Sequence, residues 1–301
     1  MAGIENQSAT ATAAQTSPSR PSNEPFGYCL NLSTIRGQEL PLEREIDVAG
    51  QAGFQAIEPW INKIEDHVKR GGSLRDLRKR IADLGLTVES AIGFAEWIVD
   101  DDARRARGLE QAKRDMEAVR EIGGKRIAAP PAGATEQTDM NLFRAAERYA
   151  ALIDLGEKMD VVPQAEVWGF SKCLSRLSET TFVAIESGRA KACILPDVYH
   201  LYKGGTDIAG LGLLSGSAVH VFHLNDYPAQ PTRDTIRDSH RVYPGDGIAP
   251  LSQIYRTIHA AGFRGYLSLE LFNQQYWKQD ALEVARTGLK KTRESVQRAF
   301  A

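Results

Sequence analysis

Residues 192 to 200 read ACILPDVYH and residues 219 to 227 read VHVFHLNDY. Each is a short apolar run that stops on a side chain able to bind a metal or carry a proton, Asp197 in the first and His223 in the second. The same form recurs outward in both directions, with QAIE ending at Glu58, PQAE at Glu166 and LSLE at Glu270. β-like runs of this kind fall at 26–32, 54–58, 87–92, 126–129, 161–166, 192–195, 219–224 and 266–271, which makes eight. Between them apolar residues recur at intervals of three and four, as in Leu74, Leu77, Ile81 and Leu84, or Leu109, Ala112 and Met116, the spacing of one helix face. A last helix carries Leu282, Ala285, Leu289 and Val296. Glycines at 53, 85, 123 and 262 stand where helices end before the next strand. Eight β-α repeats ending on a helix predict a closed (β/α)8 TIM barrel.

A doubly wound open sheet also alternates strands and helices. It is opposed by the absence of a GxGxxG fingerprint after the first strand, which runs instead into Asn31-Leu32-Ser33-Thr34. It is opposed too by acidic and imidazole residues at the C-terminal ends of several strands, where a barrel assembles its active site. The connection 226–250 has no helical pattern, and a loop that long is usually functional or disordered.

The length of 301 residues suits a barrel as a single domain over 25–301. Residues 1–24 are rich in Ala, Ser, Thr, Gln, Asn and Pro, with Ile4 as their one branched aliphatic, and read as a disordered leader. Lys plus Arg number 37 against 39 Asp plus Glu, so no excess of positive charge is available for nucleic-acid phosphates. No stretch approaches the ~18 consecutive apolar residues of a membrane span. Three separated cysteines, Cys29, Cys173 and Cys193, predict free thiols and a cytoplasmic location.

A carboxylate buried at the end of an apolar strand needs a partner, a metal or a proton. For one such residue an ion pair or a helix cap accounts for it as well as function does, but five in one register weaken that account. Glu166, Asp197, His223 and Glu270 together form a mixed oxygen and nitrogen shell without thiolate, which suits one divalent ion of Mn, Zn, Co or Mg.

The segments PDVYH (196–200), FHLNDY (222–227), HRVYPGDG (240–247) and LSLELFNQQYW (267–277) resemble the xylose isomerase-like barrels, or sugar phosphate isomerases/epimerases, over about the whole chain after the leader. Among subfamilies the last two segments look most like inosose (2-keto-myo-inositol) isomerases. The resemblance implies Glu166, Asp197, His223 and Glu270 as the metal ligands of strands five to eight. It also implies that His200 touches a substrate hydroxyl and that Arg241 lies beside the catalytic carboxylate or the substrate. One departure is Gly169-Phe170-Ser171-Lys172, where inosose isomerases usually carry Gly-His-Pro-Gln, so the substrate is not fixed by the likeness.

Lys172 is read two ways, as an electrophile or general acid at the mouth and as a solvated loop lysine. Trp60, Trp168, Phe94 and Trp97 follow strands two, three and five, and wall a sugar-sized pocket or serve as packing. Glu58 joins the candidate substrate contacts. His220 is in odd register with His223 and points to the opposite face. His67, His240 and His259 show no ligand spacing, and Cys173 is more often inert than nucleophilic.

A metal that polarises a ketone, beside Glu166 and Glu270 as catalytic acid and base, predicts an isomerase or epimerase of a ketose or keto-cyclitol acting through an enediolate. The rival outcome is a lyase or dehydratase that expels a β-substituent from the same intermediate. An AP endonuclease-like phosphodiesterase is remote, since it needs more metals and a basic groove. The partner is a small keto-sugar or keto-cyclitol, with no nucleic acid and no membrane, and a homo-oligomer is left open.

Overall fold

The computed structural model describes residues 24 to 301. The leader reading falls almost wholly on residues outside that range. The eight strands are β1 (Gly27–Asn31), β2 (Ala56–Glu58), β3 (Thr87–Val88), β4 (Arg126–Ala129), β5 (Val162–Glu166), β6 (Ile194–Leu195), β7 (Val221–Leu224) and β8 (Tyr266–Leu269). All pair in parallel, in the orders β3-β2-β1-β8-β7 and β4-β5-β6.

The two arcs join into one ring. On one side the Ala128 amide donates to Ala91, and the Ala91 amide donates to Arg126. On the other, parallel bridges link Ile194 to Val219 and Asp197 to His223. The chain is therefore a TIM barrel. Strands are shorter than the apolar runs predict because their ends turn into loops that carry side chains to the mouth. Asn31 closes β1 by accepting from the Ser33 amide and starting a 3-10 turn.

Nine α-helices among the described residues follow the expected alternation: α1 (Leu42–Ala52), α2 (Ile61–Lys69), α3 (Leu74–Asp83), α4 (Asp102–Glu121), α5 (Leu142–Met159), α6 (Leu177–Glu186), α7 (Val198–Lys203), α8 (Leu251–Ala260) and α9 (Ala281–Phe300). Their inner faces and the outward strand residues make one continuous apolar shell containing Leu30, Ile57, Leu77, Ile81, Met116, Tyr149, Leu269 and Leu289. Pro163 sits in β5, where it removes a ladder N–H. The buried Tyr149 hydroxyl reaches in from α5, 2.8 Å from the Pro163 carbonyl and 2.7 Å from that of Cys193, and accepts from the Ala165 amide. A helix side chain thus stitches the two strands that carry Glu166 and Asp197.

Inside the ring, Ile92, Ala128, Leu195 and Val221 form a separate small apolar cluster. Above it, strand alternation points Glu58, Gln164, Glu166, Asp197, His223, Ser268 and Glu270 inward, all buried. The connection 226–250 contains one short 3-10 turn, Asp238–His240. Asp226 ties its base, pairing antiparallel with Val242 and accepting from the amides of Tyr227, Gly245, Gly247 and Ala249.

All three cysteines are free and buried, and no helix among the described residues is long and apolar enough to cross a membrane.

Candidate active site

His223 stands at the centre of the inward layer. Its Nε2 lies 3.0 Å from Glu58 Oε2, while Nδ1 has no hydrogen-bond partner. That nitrogen faces three carboxylates, with Glu270 Oε2 at 3.4 Å, Glu166 Oε1 at 3.6 Å and Asp197 Oδ2 at 3.9 Å. Ligand atoms of Asp197, His223 and Glu270 all lie within 4.8 Å of one another.

Each side chain is held by an element beneath it. Asp197 is the N-cap of α7, its Oδ1 accepting from the His200 amide at 2.7 Å and its Oδ2 from Asn225 Nδ2 at 3.0 Å. Glu58 accepts from Ser268 Oγ at 2.7 Å and from Asn31 Nδ2 at 2.9 Å. Asn31 also donates to Glu270 Oε1 at 3.0 Å and accepts from Trp60 Nε1 at 3.0 Å. Arg241 descends from the connection after β7 and donates through Nη1 to Asp197 Oδ2 at 2.9 Å and Glu270 Oε2 at 2.7 Å. Its Nη2 donates to Asp238 and lies 3.2 Å from His200 Nε2.

Four buried carboxylates, Glu58, Glu166, Asp197 and Glu270, share this layer with two cationic groups, Arg241 and His223. Burying uncompensated charge is costly, so the imbalance is met by protons or by a cation. Burial pushes the Glu166 carboxyl up to about 8, and the charges of Glu270 and Asp197 add to this while His223 opposes it. Burial disfavours charge on His223, yet Glu270 and Glu58 outweigh it and hold the imidazole well above its ordinary value. Burial takes His200 down to about 4, so it is a neutral imidazole at pH 7. The Arg241 contact makes His200 Nε2 the acceptor and leaves the proton on Nδ1, which is buried without a partner.

An orphaned imidazole nitrogen ringed by carboxylate oxygens, with its other nitrogen held by a carboxylate, is the donor set that a divalent ion takes up. The residues present fit a metal.

Residues 46 to 295 match the family profile described as xylose isomerase-like TIM barrel. The chain belongs to that family. This xylose isomerase-like barrel is 23% identical over 276 residues to an inosose isomerase of Bacillus velezensis, covering 90% of this chain and 98% of the relative. It is 26% identical over 272 residues to a 3-dehydroshikimate dehydratase of Pseudomonas aeruginosa, covering 85% of this chain and 41% of the relative. Its fold superposes on the crystal structure of the IolI protein with a bound zinc atom at a TM-score of 0.84, with 21% identity, covering 92% of this chain and 100% of the other.

A cavity of about 350 Å³ opens above the carboxylates of this xylose isomerase-like chain, and Glu166, Trp168, His200, Arg241, Glu270 and Trp60 are in its wall. Two of the expected substrate contacts stand elsewhere. Glu58 is outside the wall, its carboxylate consumed by His223, Ser268 and Asn31. Lys172 is exposed and outside the wall, and its amide donates to the Thr135 carbonyl at 2.6 Å. Trp97 is core, donating to the Pro130 carbonyl at 2.8 Å, whereas Phe94 joins the wall.

Sequence reasoning missed Asn31, Asn225, Asp238, Ser268, Phe170, Phe272 and Trp277. For Asn31 and Ser268 a signal existed. Asn31 ends strand one as Glu58 ends strand two, and Ser268 lies two residues before Glu270 on the same strand face. Asp238 sits in a loop without periodicity, and nothing local marked it.

Proposed function

We propose that the chain is a metal-dependent isomerase or epimerase of a ketose or keto-cyclitol of the inosose type. The observation that carries this is His223 Nδ1, buried without a partner and facing Glu166, Asp197 and Glu270. The likeness to inosose isomerases over nearly the whole chain supports the substrate class, and the zinc in the IolI structure supports the metal.

Glu166, Asp197, His223 and Glu270 would hold the ion. When bound there, a divalent ion would supply polarisation of a ketone and its neighbouring hydroxyl. The proton traffic belongs to the two glutamates, which stand in different surroundings, the arrangement that separates acid from base. Glu270 has both oxygens occupied by donors, Arg241 and Asn31. With no ion in place burial pushes Glu166 up to about 8, and a cation bound beside it would lower that value and favour the carboxylate, the form that takes a proton. Moving a proton from the carbon beside the carbonyl to its other face gives epimerisation, and moving it to the neighbouring carbon gives isomerisation. His200, a neutral imidazole whose Nε2 meets Arg241, lines the cavity beside the two glutamates, and the aromatic side chains form its wall.

A lyase is the second reading, favoured by the likeness to a dehydratase. It uses the same proton removal and differs in expelling a β-substituent.

The deciding experiment is metal analysis of the purified protein, followed by a screen of keto-inositols and ketohexoses in deuterium oxide. Deuterium at the carbon beside the carbonyl, dependent on a bound metal, supports the isomerase reading. Loss of a β-substituent, with the proton beside the carbonyl removed and not replaced, supports the lyase. Conversion without any solvent label that also survives Glu166→Gln and Glu270→Gln refutes proton transfer by the glutamates.

A further inference from the structure

The cavity has a polar floor and an aromatic wall, and the two ask for different parts of one ligand. Arg241 is the one Lys or Arg among the described residues that line it. A guanidinium grips a carboxylate or phosphate through parallel N–H groups. Both Nη1 hydrogens of Arg241 are committed to Asp197 and Glu270, and both Nη2 hydrogens to Asp238 and His200. Its faces lie against Tyr199 and Phe272, with the guanidinium carbon 4.6 Å and 5.1 Å from the ring centroids. Nε remains, buried without a partner, and offers no fork. Arg36 packs over Trp60 and is not in the wall. Even with a divalent ion in place, the carboxylates of Glu58, Glu166, Asp197, Glu270 and Asp238 outweigh that ion and Arg241, so an anionic ligand meets a net negative floor, whereas hydroxyls and a carbonyl meet donors and acceptors.

The wall is a run of rings. Phe272 to Trp60 is 6.0 Å between centroids, Trp60 to Phe94 5.4 Å, Phe94 to Trp168 6.0 Å and Trp168 to Phe170 5.0 Å. At the lip Phe94 is 40% and Phe170 42% exposed, so two large apolar side chains stand in water at the rim of a polar site. Such a patch beside a cavity is ordinarily covered by a ligand.

The geometry points to an uncharged keto-sugar or keto-cyclitol that carries a planar apolar substituent, such as an aryl glycoside. The polyol lies on the floor, and the substituent rests against Phe94, Trp168 and Phe170. This rests on the reading of the site as one for keto-sugars, and it adds what the substrate carries.

The test is calorimetric titration of the metal-loaded protein with three unreactive probes: phenyl β-D-glucopyranoside, methyl β-D-glucopyranoside and quinate. Phenyl glucoside is expected to bind at least about ten-fold more tightly than methyl glucoside, because ring stacking and apolar burial act on the phenyl group alone. Quinate, an anionic cyclohexane polyol, is expected not to bind at concentrations that saturate with the phenyl compound. F94A should bring the two glucoside affinities together with thermal melting unchanged, a result that a merely structural role for Phe94 does not produce. Equal affinities in the unmodified protein, no saturable phenyl glucoside binding, or quinate binding as tightly as phenyl glucoside would each overturn the proposal. If the aryl preference stands while no keto-sugar exchanges solvent deuterium, the reaction falls and the ligand class survives. The converse result removes the substituent alone.

Discussion

Glu58 Oε2 and His223 Nε2 lie 3.0 Å apart at the centre of the barrel, both fully buried. This pair fixes the ring so that Nδ1, the nitrogen without a partner, is presented to Glu166, Asp197 and Glu270. Carboxylates in this position orient a ligating imidazole and raise its basicity, and losing one typically costs 10–100-fold in metal affinity. Glu58→Gln is thus expected to weaken divalent-ion binding by about that factor. Competition with a chelator measures it, and unchanged affinity would show that the ring is positioned by packing alone.

Asp197→Ala and His223→Ala should abolish metal retention while the barrel stays folded, because residues at this end of a barrel serve function more than stability. The check is metal content beside circular dichroism. Asp197 has the further duty of capping α7, so its variant should melt somewhat lower than the histidine variant, a lost cap costing about 0.5–2 kcal/mol.

Glu→Gln at 166 or 270 keeps an oxygen at the site but cannot accept a proton. Turnover should fall by about 100 to 10,000-fold in each, with metal weakened rather than lost. Solvent deuterium incorporation should disappear together with net conversion. Survival of both would favour a hydride shift.

Asp115 lies on the buried face of α4, and its Oδ2 has no partner. Burial, with Glu65 adding, raises this carboxyl to about 6. Its folded pKa is above the unfolded value of about 3.9, so the native state is penalised above pH 6, and the penalty disappears as pH falls toward 4. Asp115→Asn should therefore stabilise the fold by about 2–3 kcal/mol at pH 7 and by little near pH 4. Urea unfolding at the two pH values reads this directly, and an equal effect at both would mean that ionisation of Asp115 is not the cause.

A Cβ added at Gly169 would stand 2.1 Å from the His200 carbonyl oxygen and 2.6 Å from the Gly204 amide nitrogen. Gly169→Ala must push the loop after β5 away from α7, at about 1–3 kcal/mol. Because His200 and the Asp197 cap belong to the same turn, ligand binding should weaken beyond the loss of stability. A lower melting temperature with unaltered ligand affinity would show that the two elements move together.

The eight strands and the convergence of Glu166, Asp197, His223 and Glu270 were legible because strand alternation and strand ends leave a local imprint. Pro163 does not break β5, where the Tyr149 hydroxyl reaches the Pro163 and Cys193 carbonyls. Glu58 and Lys172 show where local reading stops. Glu58 carries the same strand-end signature as Glu166, but its carboxylate is taken by His223, Ser268 and Asn31 from other strands, partners that no short window contains. Lys172 follows the right strand, yet it is exposed outside the cavity wall, and its amide is tied to Thr135, distant in sequence. Arg241 and Asp238 reach the floor through a loop whose path is set by hydrogen bonds to Asp226.

That Asp226 anchorage bears on how such a barrel diversifies. Four amides gathered on one carboxylate, together with the pairing to Val242, fix where the loop leaves and rejoins the scaffold, while most of residues 229 to 235 face water. Change can accumulate in that outer arc without disturbing the guanidinium below it. New substrates can be reached by redrawing the arc and the rim aromatics, with the inherited chemistry left in place.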